Sequence, residues 1–250
     1  VGRYFGGMTP FYIKLPDRMI SAGTNTLELV ISPTPAFTQR HIFSQRSFSG
    51  SIRELLLVGM PQIWINDVRI KSTLTNSSCD LKTMLSVSSS AIERIPLPSA
   101  DSSKTLSLKK FPVNVEATLR KMGKQEVVAQ SESKVIEIER DRTVPLDLGL
   151  RIASPELWSP SEPNLYEMTI KITKNTVVLD EYVVSVGVHD IRITNDGEKY
   201  SIMLNGSPLN IKGVEYTETF GEGGQTVTNE QLEKDVILLK TLGVNVVRVR

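Results

Sequence analysis

Polar and apolar residues alternate one for one along several stretches of this chain. Val113, Val115, Ala117 and Leu119 alternate with Asn114, Glu116, Thr118 and Arg120, and Tyr166, Met168, Ile170 and Ile172 with Glu167, Thr169 and Lys171. Tyr182, Val184, Val186 and Val188 repeat the pattern. Successive side chains of a strand point to opposite faces, so this period predicts antiparallel strands with one wet face. A further strand is expected from Ile63 to Leu74, and two more between Ile191 and Met203, joined through the turn-forming Asn195-Asp196-Gly197. Shorter strand-like runs lie from Phe11 to Leu15, Thr26 to Ile31 and Ile52 to Val58. The stretch from Asn76 to Lys104 is rich in Ser and Pro and reads mostly as loop, with Met84, Leu85 and Val87 as a possible short strand.

The period changes after Asn205. A turn at Asn205-Gly206 leads into a short apolar strand ending at Val214-Glu215. A polar, Gly-rich loop follows, and then a helix whose Leu232, Val236 and Leu239 fall on one face, widened by Ile237 and Leu238. Thr228 and Gln231 fit a capping box at its start, and Gly243 suits the left-handed residue that stops it. Val244 to Arg250 then reads as a second strand. Strand, helix, strand in this order is a βαβ unit, which belongs to a parallel sheet covered on both faces. One such unit cannot bury itself, so the chain is expected to be a segment of a longer protein.

These patterns divide the chain into three regions: 1–61, 62–188 and 189–250. The central region holds about seven strands, enough for an immunoglobulin-like sandwich. Composition narrows the chemistry. The 250 residues are 40% hydrophobic and 23% charged, as in a folded globular protein. Net charge is +1, which points to neither nucleic acid nor an anionic membrane as partner. No apolar run approaches the roughly 20 residues that span a bilayer. Cys79 is alone, and His41 and His189 lie in no metal-ligand motif, so neither an internal disulfide nor a metal site is expected. No cofactor motif is present, and the compartment is not legible.

Local motifs carry a resemblance along almost the whole chain. Gly7-Met8-Thr9-Pro10-Phe11, Ala22-Gly23-Thr24-Asn25-Thr26-Leu27 and Ser49-Gly50-Ser51-Ile52-Arg53 resemble segments of an N-terminal jelly roll. Leu157-Trp158-Ser159-Pro160 with Pro163-Asn164-Leu165-Tyr166, and Val186-Gly187-Val188-His189-Asp190-Ile191, resemble the signature and exit of a second domain. Leu204-Asn205-Gly206-Ser207-Pro208, Gly213-Val214 and Asn245-Val246-Val247-Arg248 resemble the entry to a catalytic barrel. In this order the motifs are similar to those of glycoside hydrolase family 2, the β-galactosidases, β-glucuronidases and β-mannosidases. Each motif also has a structural explanation: Trp158 between Leu157 and two prolines reads as a core anchor at a sandwich corner rather than a sugar platform.

The resemblance implies a mostly β chain: a truncated jelly-roll β-sandwich at 1–61, an immunoglobulin-like β-sandwich at 62–188, and the first βαβ unit of a (β/α)8 TIM barrel at 189–250. It implies a parent exo-β-glycosidase acting on carbohydrate by a retaining mechanism, and a homo-oligomer of that parent is compatible with it. Both catalytic glutamates are expected beyond Arg250, so the segment alone is expected to be inactive. Arg248 corresponds to the family arginine that contacts the nucleophilic carboxylate. Glu215, Tyr216 and Thr217, at the end of the first barrel strand, are the other candidate site residues. Glu215 stands where the family usually has asparagine, Thr217 where many members have a histidine, and Arg250 where serine is common. The stretch from Pro33 to Phe48 lacks the acidic residues that β-galactosidases often place there, which weakens a galactose-specific reading. The alternative is a non-catalytic carbohydrate-binding or scaffold module, which has no need of a βαβ unit.

Overall fold

A computed structural model describes residues 2–4, 10–15, 19–31, 54–75, 77–90, 93–96, 105–108, 110–217 and 227–249. It forms two compact units, one of residues 1–55 with 218–229, the other of 56–217 with 230–250.

The first ten strands of the second unit are β1 (Ile63–Leu74), β2 (Ser78–Ser89), β3 (Glu93–Pro96), β4 (Thr105–Leu108), β5 (Lys110–Lys121), β6 (Val127–Gln130), β7 (Lys134–Glu139), β8 (Thr143–Ala153), β9 (Tyr166–Lys174) and β10 (Val177–Val186). A three-stranded sheet, β1-β2-β8, faces a second sheet in the order β10-β9-β5, with β6 and β7 pairing successive parts of β5; β3 and β4 form a separate hairpin. The inward residues of both sheets make one core: Leu81, Val87, Val115, Leu119, Ile138, Leu148, Met168 and Ile170 are all buried. This sandwich is the immunoglobulin-like body expected for the central region. Where β6 ends and β7 has not begun, Ser131 repairs the ladder. Its hydroxyl accepts a hydrogen bond from the Ala117 amide (2.9 Å), and its own amide donates to the Ala117 carbonyl (2.9 Å). The sheets are also tied at one edge, where the Asp180 carboxylate on β10 accepts from the Ile65 amide on β1 (2.8 Å), beside register shifts in both strands.

The Ser-rich stretch departs from the expectation of a loop. Twelve of its residues form β2, hydrogen-bonded on both sides. Cys79, Leu81, Thr83, Leu85 and Val87 point inward and are buried, while Asp80 and Lys82 point out. Alternation was present, but a polar Thr83 on the inner face and an apolar Met84 on the outer one broke its pattern. Burial raises the pKa of the Cys79 thiol.

The described parts of the runs from Phe11 to Leu15, Thr26 to Ile31 and Ile52 to Val58 hold no strand, contrary to expectation. A strand exists only as part of a ladder, because its amides and carbonyls need partners. Leu27, Leu29, Leu56 and Leu57 are correspondingly half or more exposed. The motif from Ser49 to Arg53 and the stretch from Pro33 to Phe48 lie outside the described residues, as does most of that from Gly7 to Phe11.

Beyond the sandwich come β11 (Ile191–Asn195), β12 (Tyr200–Leu204) and β13 (Ser207–Pro208), an antiparallel sheet in that order. The Asp196 carboxylate closes the expected first hairpin by accepting from the amides of Glu198 (3.0 Å) and Lys199 (2.8 Å). The second turn does more than reverse the chain. Asn205 has a left-handed φ of 52° and Gly206 a φ of 81°, the pair of conformations that a tight two-residue hairpin needs. The Asn205 side chain accepts from the Asp190 amide (3.0 Å) and donates to the Trp158 carbonyl (3.0 Å). Trp158 is half-buried rather than part of the core. Its amide donates to the Val188 carbonyl (2.8 Å), and its ring lies 5.7 Å from that of His189. A side chain at Gly187 would press on the indole at 3.2 Å. The corner is closed by Tyr166, buried, whose hydroxyl accepts from the Glu156 amide (2.8 Å). The Leu-Trp-Ser-Pro and Leu-Asn-Gly motifs therefore meet, and together they join the sandwich to the elements that follow.

Candidate functional site

The last elements are β14 (Gly213–Tyr216), α1 (Asn229–Thr241) and β15 (Val246–Val249). The strands pair in parallel, with Gly213 opposite Val246, Val214 opposite Val247, Glu215 opposite Arg248 and Tyr216 opposite Val249. A parallel pair joined by a helix is the βαβ unit the periodicity predicts.

Local chemistry sets where each piece stops. The helix ends at Gly243, φ 77°, whose amide donates to the Lys240 carbonyl (3.0 Å) while the Val244 amide reaches the Leu239 carbonyl (3.1 Å). These two bonds are the Schellman arrangement, which satisfies carbonyls left open at a helix end. Asn245 then aligns β15. Its side chain accepts from the Lys212 amide (2.8 Å) and donates to the Asn210 carbonyl (2.9 Å), and its own amide donates to the Lys212 carbonyl (3.0 Å). The asparagine of the Asn-Val-Val-Arg motif thus fixes the register that places Arg248 beside Glu215.

The helix is set on the strands by an unexpected face. Leu232 and Leu239 are half-buried as expected, but Val236 is 59% exposed. Gln231 and Asp235 share the inner stripe instead. The Tyr216 hydroxyl donates to Asp235 Oδ2 at 2.6 Å, and Gln231 Nε2 donates to Asp235 Oδ1 at 2.8 Å. Tyr216 is therefore turned toward the helix, and Val249, its register partner, shares that face. Glu215 and Arg248 occupy the opposite face, side by side at the carboxyl ends of their strands. In a closed βα barrel that face is the interior and that end carries the active site. Thr217, exposed, follows β14 directly. Arg250 lies outside the described residues.

Of the four expected site residues, the structure brings Glu215 and Arg248 together and directs Tyr216 away from them. Asp235 was not anticipated; a carboxylate within the apolar stripe of Leu232 and Leu239 was the available signal. Among the described residues no group of three or more His, Cys, Asp or Glu side chains could hold a metal ion. No helix among them is long and apolar enough to cross a membrane.

The family model of glycosyl hydrolases family 2 matches residues 63–189, more than half of the chain. This chain belongs to glycosyl hydrolases family 2. The TIM barrel domain of the same family matches residues 195–250, which contain β14, α1 and β15. A beta-galactosidase of Thermoanaerobacter pseudethanolicus is 25% identical over 257 residues, covering 99% of this chain; the chain spans only 31% of that relative. Among solved structures, a beta-glucuronidase of Bacteroides uniformis superposes with a TM-score of 0.63 at 19% identity, over 76% of this chain and 22% of the other. A beta-glycosidase of Bacteroides vulgatus superposes with a TM-score of 0.56 at 23% identity, over 75% of this chain and 21% of its own. At these identities the superpositions establish the mostly β family 2 fold.

Proposed function

We propose that this chain supplies the accessory sandwich region and the first two barrel strands of a retaining, exo-acting β-glycosidase, β-galactosidase-like or β-glucuronidase-like. Domain boundaries near residues 61 and 189 belong to the same reading. The observation that carries it is the parallel pairing of Glu215 with Arg248, on the face turned from the helix and at the carboxyl ends of their strands. Family membership and the beta-galactosidase relative support it.

Retaining glycosidases use two carboxylates about 5 Å apart, one as nucleophile and one as proton donor. No carboxylate of this chain matches either, so both come from later barrel strands. Arg248 holds the nucleophile through charge-assisted hydrogen bonds, keeping it ionised and aimed at the anomeric carbon. Glu215 and Thr217 border the sugar-binding side.

Replacing Arg248 by Ala in the full-length protein tests the reading. Turnover of an aryl β-glycoside should fall by about 10²-fold or more, on the order of 3 kcal/mol. Arg248→Lys should recover little, because a point charge does not reproduce the planar fork. Near-normal turnover in the Ala variant refutes the assignment and leaves a scaffold or carbohydrate-binding role for the chain. The 250 residues alone should show no turnover.

A further inference from the structure

The face of the βαβ unit turned away from Arg248 holds a polar contact that packing alone does not require. The helix has no buried residue, and Val236, Ile237 and Leu238 are each more than half exposed. Apolar packing of this kind has no direction and leaves a helix free to slide or roll by fractions of an ångström on its strands. Asp235 removes that freedom. One oxygen takes the Tyr216 hydroxyl at 2.6 Å and the other takes the Gln231 amide at 2.8 Å, so the carboxylate is held from two sides. A hydroxyl bound to an ionised carboxylate is among the stronger hydrogen bonds a protein makes.

We propose that Asp235 is a positioning residue for the strand-end site, setting through Tyr216 the place at which Glu215 and Arg248 stand. The inference rests on the role given to Arg248 above. Tyr216 is the last residue of β14 and follows Glu215 directly. With its ring held on the helix side, the residues before and after it must face the other way, since successive side chains of a strand alternate. Glu215 is in register with Arg248, so the height at which the helix grips Tyr216 is passed across the ladder to the guanidinium. Asn245 pins the start of the same pair from the other end. Misplacing a reacting or orienting group by about 1 Å costs as much as about 10²-fold in rate, so a sub-ångström displacement is measurable in turnover.

The test uses the full-length protein with Tyr216→Phe, Asp235→Ala and Asp235→Asn, reading kcat, KM and thermal unfolding separately. Tyr216→Phe removes one oxygen atom and no apolar surface. It should lower kcat about tenfold with KM within about twofold at a temperature well below unfolding. Asp235→Ala should match it, and the double variant should be no worse than either, because both break the same contact. Asp235→Asn keeps an acceptor for the tyrosine and should recover part of the loss. If the Ala variant does not accumulate as folded protein, Tyr216→Phe and Asp235→Asn decide the question. Unchanged kcat with a lowered unfolding temperature means the contact is only structural and overturns the proposal. Arg248→Ala, run beside them, separates the two ideas. If it is inactive while Tyr216→Phe is normal, the positioning role alone fails; if it is active, the site itself falls.

Discussion

Asn205 joins two jobs in one side chain, and replacing it separates them. Its left-handed backbone costs an alanine about 1–2 kcal/mol and a glycine almost nothing. Its side chain makes two hydrogen bonds, at 3.0 Å each, to the Asp190 amide and the Trp158 carbonyl. Each contributes about 0.5–1.5 kcal/mol, and more where the half-buried partner left behind finds no water. Asn205→Gly should therefore lose about 2 kcal/mol and Asn205→Ala about 3 to 4 kcal/mol. The gap between them isolates the backbone term. Trp64 and Trp158 are the two tryptophans of the chain, and Trp158 lies at the junction itself. Urea unfolding followed by fluorescence in a Trp64→Phe background then reports the junction directly. Equal stability of the Gly and Ala variants refutes the conformational argument. Both variants within about 0.5 kcal/mol of the parent refutes the hydrogen-bond argument, since that is the scatter of unremarkable surface changes.

Three further outcomes concern the hairpin, the exposed βαβ unit and the sandwich. The backbone amides of Lys199 and Glu198 hold the Asp196 carboxyl below its ordinary pKa. Its contribution to the turn is thus full above the ordinary carboxylate value and lost as pH falls through the lowered one. Carbon-detected NMR of the Asp196 carboxyl should show a midpoint below that of a free aspartate, and a midpoint at or above it refutes the turn geometry. In the 250-residue chain, amide exchange should be faster over 205–217 and 227–249 than over 110–188, because the two-stranded sheet has exposed valines where the sandwich has a closed core. Limited proteolysis should spare a fragment of about 62–188; early cuts inside 120–180 count against that domain boundary.

What the sequence determined by itself is whatever a local period can encode. The strand from Ile63 to Leu74, the hairpin at Asn195-Asp196-Gly197, and the helix stopped by Gly243 were all legible, because alternation, turn chemistry and capping act within a few residues. The parallel sense of the last two strands followed from the helix between them. Tertiary structure decided the rest. The described parts of the runs between Phe11 and Ile31 carry strand-like residues yet form no strand, while the Ser-rich stretch, which lacks strand composition, is the middle strand of a sheet because β1 and β8 bind it on both sides. Helical spacing placed Val236 inward, but a hydrogen bond from Tyr216 selected Asp235 instead, and so determined which candidate site residues face together. Partners 47 residues apart at Asn205 and Trp158, and 115 apart at Ile65 and Asp180, leave no trace in any local period. A backbone group or a half-buried carboxylate is satisfied by whatever the fold brings within about 3 Å, and chain proximity has no part in that choice.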